Sequence, residues 1–175
     1  MKLTRTALLL MAGLALAACN NPNRFGADGA AGGAAGGAGA GAGSALPGSA
    51  GDPASPAYFQ QAVGDRVLFL VDQSSLTPEG INVLNGQATW LQTNSDYTAV
   101  IEGHADEQGT REYNLALGAR RANAVKEYLV SRGVAESRLR TVTYGKERPI
   151  EICSNEACYA KNRRAVTVLA AGLTS

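Results

Sequence analysis

Two opposite charges, Asp106 and Arg121, lie in the stretch from Glu102 to Val125 and could together hold a zwitterionic ligand. An arginine presents a planar fork of N–H donors that suits a carboxylate, whereas an aspartate accepts hydrogen bonds from an ammonium group. A ligand that carries both groups would be held at two poles. The two residue types are therefore suited to a ligand that carries both a carboxylate and an ammonium group.

Arg121 lies on the apolar side of a predicted helix that spans about Arg111 to Arg132. With Leu117 set at zero and about 100° per residue, the core-facing stripe also contains Tyr113, Ala124, Val125 and Tyr128. Arg121 falls at about +40° and Asn114 at about +60°, so both polar side chains emerge from this face. Because an unpaired buried guanidinium is strongly destabilising, Arg121 must have a partner.

The identity of that partner is open from the residues alone. Asp106, in the loop before the helix, or Asp72, after the first predicted strand, could form an internal ion pair with Arg121. A bound ligand is the other interpretation, because loops at the carboxyl ends of strands, beside a helix N-terminus, are frequent binding sites.

Four strands and two helices are predicted to position these side chains. The first helix runs from Pro78 to about Thr93, and the second is the one that carries Arg121. The strands cover residues 67–71, 97–101, 138–144 and 165–170. Loops are expected at 103–110 and in the segment that contains Pro149 and two cysteines. The order β-α-β-α-β-β predicts an α/β fold of the α+β sandwich type, with a mixed four-stranded sheet and helices on one or both faces.

The N-terminal part of the chain differs from this domain. Lys2 and Arg5 precede an apolar run too short to span a bilayer as a mature helix, which predicts a signal peptide over residues 1–18. In residues 26–51, 21 of 26 positions are Gly or Ala, and no hydrophobic core can form from them. We expect residues 19–57 to be a flexible tether and residues 58–173 to form one domain.

Charge and cysteine content exclude several functions. Without residues 1–18 the chain keeps 14 basic and 15 acidic residues, so no positive excess attracts nucleic acid. Cys153 and Cys158 lie close together in an exported chain, which favours a disulfide between them. With the single histidine they supply too few ligands for a closed zinc site, and we predict no metal and no cofactor.

Several separated motifs resemble the OmpA-like peptidoglycan-binding domain family over about Val67 to Leu169. They are Gly103-His-Ala-Asp106, Gly109, Asn114, Leu117, Arg120-Arg121-Ala-Asn123-Ala-Val125, Tyr144-Gly-Lys-Glu-Arg-Pro149 and Asn162-Arg-Arg164-Ala-Val166. Leu16-Ala17-Ala18-Cys19 is similar to the lipobox of bacterial lipoproteins, in which the cysteine carries acyl chains after cleavage.

The resemblance implies a protein that binds peptidoglycan noncovalently through the diaminopimelate group of the stem peptide. The family's site residues fall on Asp72, Asp106, Asn114, Leu117 and Arg121, and with less support on Val71, His104 and Gln108. Val71 stands where relatives commonly have Phe, and Gln108 where they often have Arg. For His104 we expect a structural or orienting role. A lipid on Cys19 followed by Asn20 implies an outer-membrane anchor with the domain in the periplasm.

Two alternatives remain beside this interpretation. Lipid-anchored members of the family also bind TolB, the periplasmic β-propeller of the Tol system, so the chain could be an adaptor for Tol proteins alone. A peptidoglycan hydrolase is the other, since Glu102, Asp106 and Glu107 lie close in sequence and glycan hydrolysis uses two carboxylates. The sequence has no recognisable nucleophile-and-base arrangement, which argues against an enzyme.

Overall fold

A computed structural model describes residues 46–152 and 154–171 of the 175-residue chain. The chain divides into two units, Met1–Gly41 and Ala42–Ser175, and every described residue belongs to the second. The helices are α1, Pro56–Tyr58; α2, Pro78–Thr93; α3, Arg111–Ser131; and α4, Glu156–Asn162. The strands are β1, Arg66–Leu68; β2, Tyr97–His104; β3, Leu139–Gly145; and β4, Arg164–Ala171. Within the described ranges, no helix has both the length and the apolar character needed to cross a bilayer.

The four strands form one mixed sheet in the order β1-β4-β2-β3. Strands β2 and β3 are parallel, whereas β4 pairs antiparallel with both β1 and β2. The predicted mixed four-stranded sheet is confirmed. Strand residues that alternate along the sheet share a single core with α2 and α3, which places both helices on one face. That core includes Val67, Leu84, Leu91, Ala99, Ile101, Ala122, Val125 and Leu129.

The two long helices begin and end close to their predicted bounds. Thr77 and Thr110 are their N-caps, and each hydroxyl oxygen accepts a hydrogen bond from the backbone N–H three residues on. Pro78 occupies the first turn of α2, where its missing N–H costs nothing. Gly133 follows α3 with φ of 95°, a backbone conformation that favours glycine.

The folded domain begins before the predicted boundary at Tyr58. A π-helical segment, Phe59–Gly64, follows α1, and the Phe59 ring is buried against Trp90 with their centroids 4.9 Å apart. The Trp90 indole N–H donates to the Pro53 carbonyl oxygen at 2.7 Å. Residues around Pro53, predicted as tether, therefore pack on the domain and cover Trp90.

Two strands differ in length from their predictions. The first strand stops at Leu68 instead of continuing to Val71, because the chain turns at Asp72, whose φ is 56°. The second continues past Ile101 to His104, so the predicted loop at Gly103 is strand. This extension is stabilised on both sides, since Glu102 pairs with Val142 of β3 and with Val166 of β4.

The connection between β3 and β4 contains a helix that the sequence analysis assigned to a loop. Helix α4 starts after Asn155, whose side-chain oxygen accepts from the Cys158 backbone N–H at 3.1 Å. Its seven residues are too few for a hydrophobic period to show in the sequence. The helix brings Glu156 and the following Arg163 toward the carboxyl ends of the strands.

A close approach of α3 to the sheet fixes the depth of the helix. A Cβ atom at Gly103 would lie 1.9 Å from the Gly118 carbonyl oxygen, and one at Gly118 would lie 2.5 Å from the Thr143 hydroxyl oxygen. Only glycine fits at either position without a shift of backbone. Arg121 lies one turn beyond Gly118, and this contact places its side chain beneath the end of β2.

Candidate ligand-binding site at the ends of the strands

Arg121 is fully buried, with 0% of its surface exposed. Its guanidinium donates to three main-chain carbonyl oxygens: Nε to Gln73 at 2.8 Å, Nη1 to His104 at 2.8 Å, and Nη2 to Leu70 at 3.1 Å. Its central carbon lies 5.3 Å from the centre of the Phe69 ring. Arg121 therefore ties the loop after β1 to the end of β2.

This set of partners differs from the internal ion pair that the sequence left open. Among the described residues, neither Asp106 nor Asp72 lies within ion-pair distance of Arg121. Main-chain carbonyls satisfy the donors instead, and three of the five guanidinium N–H groups find an acceptor this way. The turn at Asp72, which follows the first strand, also directs the carbonyls of Leu70 and Gln73 toward the arginine.

The charge of Arg121 is retained despite its burial. Burial lowers the pKa of the guanidinium to about 10, and the neighbouring charge of Arg163 lowers it further, whereas Asp106 and Asp72 oppose the shift. At neutral pH the group is therefore protonated. The site therefore holds a buried cation that is stabilised electrostatically by Asp106 and Asp72 without direct contact.

Asp106 bonds to a different arginine. Its Oδ2 lies 3.0 Å from Nη1 of Arg163, and its Oδ1 accepts from the Gln108 backbone N–H at 3.2 Å. Arg163 also donates from Nη2 to Glu156 Oε1, and its Nη1 lies 3.4 Å from Glu156 Oε2. One guanidinium thus joins two carboxylates, one of them buried and one exposed.

Asp72 and Val71 lie on the exposed turn of the loop that covers Arg121. The Asp72 Oδ1 accepts a hydrogen bond from the Tyr113 hydroxyl at 3.3 Å. Tyr113, predicted on the core-facing stripe of α3, is 43% exposed, because it belongs to the first turn of the helix, beyond the apolar core. It joins the loop after β1 to the start of α3.

The remaining predicted site residues order the loop before α3. Asn114 is buried, and its Nδ2 donates to the Gln108 carbonyl oxygen at 2.6 Å. Leu117 is buried one turn further on, while the side chain of Gln108 is exposed. Asn114 and Leu117 therefore support the loop from below, and Gln108 lies on its outer side.

His104 is buried, and its carbonyl oxygen orients Arg121. Burial, followed by the charges of Arg164 and Arg148, lowers the pKa of His104 to about 4, so the ring is neutral at neutral pH. The ring centroid lies 5.5 Å from that of Tyr144. Within the described part of the chain, neither ring nitrogen has a hydrogen-bond partner, and Nε2 is 3.7 Å from the nearer Glu102 oxygen.

Sequence reasoning missed the contributions of Glu156 and Tyr113 and the direct pairing of Arg163 with Asp106. Arg163 was visible within the Asn162-Arg-Arg164 motif, but its partners come from elements far away in the sequence. Of the predicted cysteine pair, Cys158 is disulfide-bonded, whereas Cys153 lies outside the described residues. Cys19 also lies outside them. The described residues contain no group of three His, Cys, Asp or Glu side chains that could hold a metal ion.

The sequence of the chain is similar to a known protein family. A model of the OmpA family matches residues 68–163. A peptidoglycan-associated lipoprotein of Mesorhizobium japonicum is 48% identical over 175 residues, covering 95% of this chain and 94% of the relative. Another, from Rhizobium meliloti, is 52% identical over 124 residues, covering 71% of this chain and 70% of the relative.

Solved structures agree with the sequence relatives. The crystal structure of the peptidoglycan-associated lipoprotein from Burkholderia pseudomallei aligns with a TM-score of 0.63 and 35% identity, over 68% of this chain and all of the other. The C-terminal domain of Helicobacter pylori MotB, with a TM-score of 0.58 and 20% identity over 62% of this chain and 86% of its own, shares the fold.

Proposed function

The chain belongs to the OmpA family and, within it, to the peptidoglycan-associated lipoproteins, and from this premise we propose that it binds peptidoglycan noncovalently. The bound group is the diaminopimelate side chain of the stem peptide, whose end carries an ammonium and a carboxylate on one carbon. The protein acts without catalysis, as a link between the outer membrane and the cell wall within the Tol–Pal system.

One observation carries this proposal: Arg121 and Asp106 provide opposite charges at the same ends of the strands, and they do not neutralise each other by direct contact. Two N–H groups of Arg121 remain for a ligand carboxylate beyond the three that main-chain oxygens accept. Asp106 has lone pairs left for an ammonium group, since only one donor reaches each of its oxygens. The two residues supply the two poles that the ligand requires.

Access to Arg121 requires a local movement. The guanidinium has no exposed surface, and the loop that carries Leu70 and Gln73 lies over it. We propose that this loop moves outward when the ligand carboxylate binds, which exposes the two guanidinium N–H groups that no main-chain oxygen accepts. Val71 and Asp72 on the same loop then come to line the bound group.

The other site residues have supporting roles in this proposal. Asn114 holds the 105–110 loop through the Gln108 carbonyl, and Leu117 is the apolar floor beneath it. His104 orients Arg121 through its own carbonyl oxygen. Gln108 lies at the rim, where its amide adds a polar contact without the extra charge of an arginine.

The rim of the site also supports a protein partner. Leu70, Val71 and Tyr113 are 56%, 48% and 43% exposed, and exposed apolar side chains around a polar site are typical of protein interaction surfaces. We propose that the TolB propeller binds this rim and so competes with peptidoglycan. A lipid on Cys19 would hold the domain at the outer membrane, on its periplasmic side.

Co-sedimentation with purified sacculi tests the proposed function. The full chain in detergent should sediment with sacculi, and free diaminopimelate should release it. The turbidity of the sacculi should stay constant, because no bond is broken; a steady loss of turbidity would favour the hydrolase. A chain that stays in the supernatant without diaminopimelate would contradict peptidoglycan binding, and TolB binding that persists on sacculus-bound protein would contradict the shared rim.

A further inference from the structure

We propose that Arg163 and Glu156 set the charge of the ammonium side of the site. Arg163 is a positioning residue that holds Asp106, and Glu156 gives the cluster of the three residues the net negative charge that attracts a ligand ammonium group. This inference rests on the proposed function, and it extends the site to the connection between β3 and β4.

The position of Arg163 is fixed from several sides. Its backbone carbonyl accepts from the Phe69 N–H at 2.9 Å, and its Nε donates to the Phe69 carbonyl oxygen at 3.3 Å. Its side chain is 5% exposed, and its Nη1 reaches Asp106. The residue that follows β1 thus holds both the backbone and the side chain of Arg163, and the guanidinium fixed in this way orients Asp106.

The charge balance of the cluster depends on Glu156. Asp106 and Arg163 alone would form a neutral pair, and a neutral pair offers little attraction to an incoming cation. With Glu156 as second partner of the same guanidinium, the cluster carries one negative charge. The hydrogen bond from Arg163 lowers the pKa of Glu156, so this carboxylate is ionised at neutral pH.

Glu156 also provides an alternative partner for Arg163. When a ligand ammonium group shares Asp106, the positive charge of Arg163 stays balanced by Glu156, whose two oxygens both face the guanidinium. The buried arginine is then never left without a carboxylate. Asp106 can therefore bind the ligand ammonium group in place of part of its interaction with Arg163, and no buried cation is left unpaired.

The test compares two charge-removing substitutions in the same connection. Glu156→Gln should reduce the affinity for sacculi and for free diaminopimelate by about two- to fivefold, the range expected for one exposed charge. Glu151→Gln is the matched control, because Glu151 pairs with Lys161 on the surface and lies outside the cluster. Both variants should keep the melting temperature of the wild type, since neither carboxylate is buried: the side chain of Glu156 is 67% exposed and that of Glu151 is 43% exposed.

Salt dependence separates an electrostatic role from a structural one. The deficit of Glu156→Gln should shrink between 50 mM and 500 mM salt, conditions chosen so that the Debye length falls from about 14 Å to about 4 Å. Unchanged affinity in Glu156→Gln, with binding lost in Asp106→Asn, would overturn this inference and leave the proposed function intact. Wild-type protein that binds neither sacculi nor diaminopimelate would overturn both.

Discussion

Two arginines bind main-chain carbonyls at opposite ends of β2, and one of them, Arg121, lies near the candidate site. At the start of the strand, Arg138 donates to the carbonyl oxygens of Leu91, Asn94 and Tyr97 at 2.6–3.0 Å. At its end, Arg121 donates to three carbonyls in a similar manner. Arg138 is half-buried, whereas Arg121 is sealed and lies near Asp106, Asp72 and Arg163.

The comparison shows which part of the arrangement is structural. A guanidinium that satisfies three carbonyls stabilises a chain turn wherever it occurs, because buried carbonyls need donors. Arg138 performs that role at the end of the sheet away from the site. The nearby charges, present around Arg121, are what a ligand would recognise. Substitution of Arg138 is therefore an internal control: it shows how much stability is lost when an arginine that binds main-chain carbonyls is removed away from the candidate site.

The largest effect is expected from Arg121→Ala. Removing the side chain leaves three carbonyls without their donor and should lower the free energy of unfolding by about 3 kcal/mol or more. Sacculus binding should be lost as well. Urea unfolding and co-sedimentation measure the two effects, and Arg120→Ala, exposed on the same helix, should change stability by less than about 0.5 kcal/mol.

Arg121→Lys keeps the comparison testable if the alanine variant is too unstable to assay. Lysine keeps the charge but cannot serve three carbonyls in a planar fork. The folded variant should bind sacculi at least tenfold more weakly, a difference of about 1.4 kcal/mol. Wild-type affinity in this variant would remove Arg121 from the site.

Arg138→Ala should lower stability without changing binding. The Arg138 side chain is only partly buried, so we expect a loss of about 1–3 kcal/mol in the free energy of unfolding. Affinity for sacculi, measured well below the melting temperature, should equal that of the wild type. Weaker binding in a fully folded Arg138→Ala protein would mean that the two ends of the strand are coupled, and the contrast between them would not hold.

Acid should destabilise the Arg121 end through His104, the only histidine of the chain. The folded protein keeps the ring neutral down to about pH 4, whereas the unfolded chain binds a proton near pH 6.5. The unfolded state therefore holds more protons between these values, and stability should fall as pH drops from about 6.5 to 4. Urea unfolding at several pH values should show that the free energy of unfolding depends less steeply on pH in His104→Phe than in the wild type. An identical slope would exclude the histidine as the cause.

Local signals explain which parts of this structure could be predicted. Thr77 with Pro78, and Thr110 before a long amphipathic segment, define the starts of the two helices from neighbouring residues alone. The rotation of α3 also predicts that Arg121 emerges among apolar side chains. Its acceptors were not predictable, because a main-chain carbonyl leaves no trace in the amino-acid types, and Leu70 and Gln73 lie 51 and 48 residues away.

The strand ends depended on such distant contacts. Glu102-Gly103-His104 does not look like strand, yet β2 continues through it because two neighbouring strands pair with it and Gly118 packs against Gly103. For the candidate site, the sequence predicts Asp106 and Arg121 as the two poles, but it could not assign Arg163 as the partner of Asp106. That pairing requires β4 to lie beside β2, which only the folded sheet provides.

The smallest effect is expected from Tyr113→Phe, which removes the hydrogen bond to Asp72. The bond is long and exposed, so stability should change by less than about 0.5 kcal/mol. If the loop over Arg121 must open for the ligand, the loss of this bond favours the open form, and affinity should stay equal or rise by up to about twofold. Weaker binding would instead show that the hydroxyl contacts the ligand. Tyr128→Phe, whose hydroxyl bonds to Asn85 at 2.8 Å away from the site, is the matched control and should leave affinity unchanged.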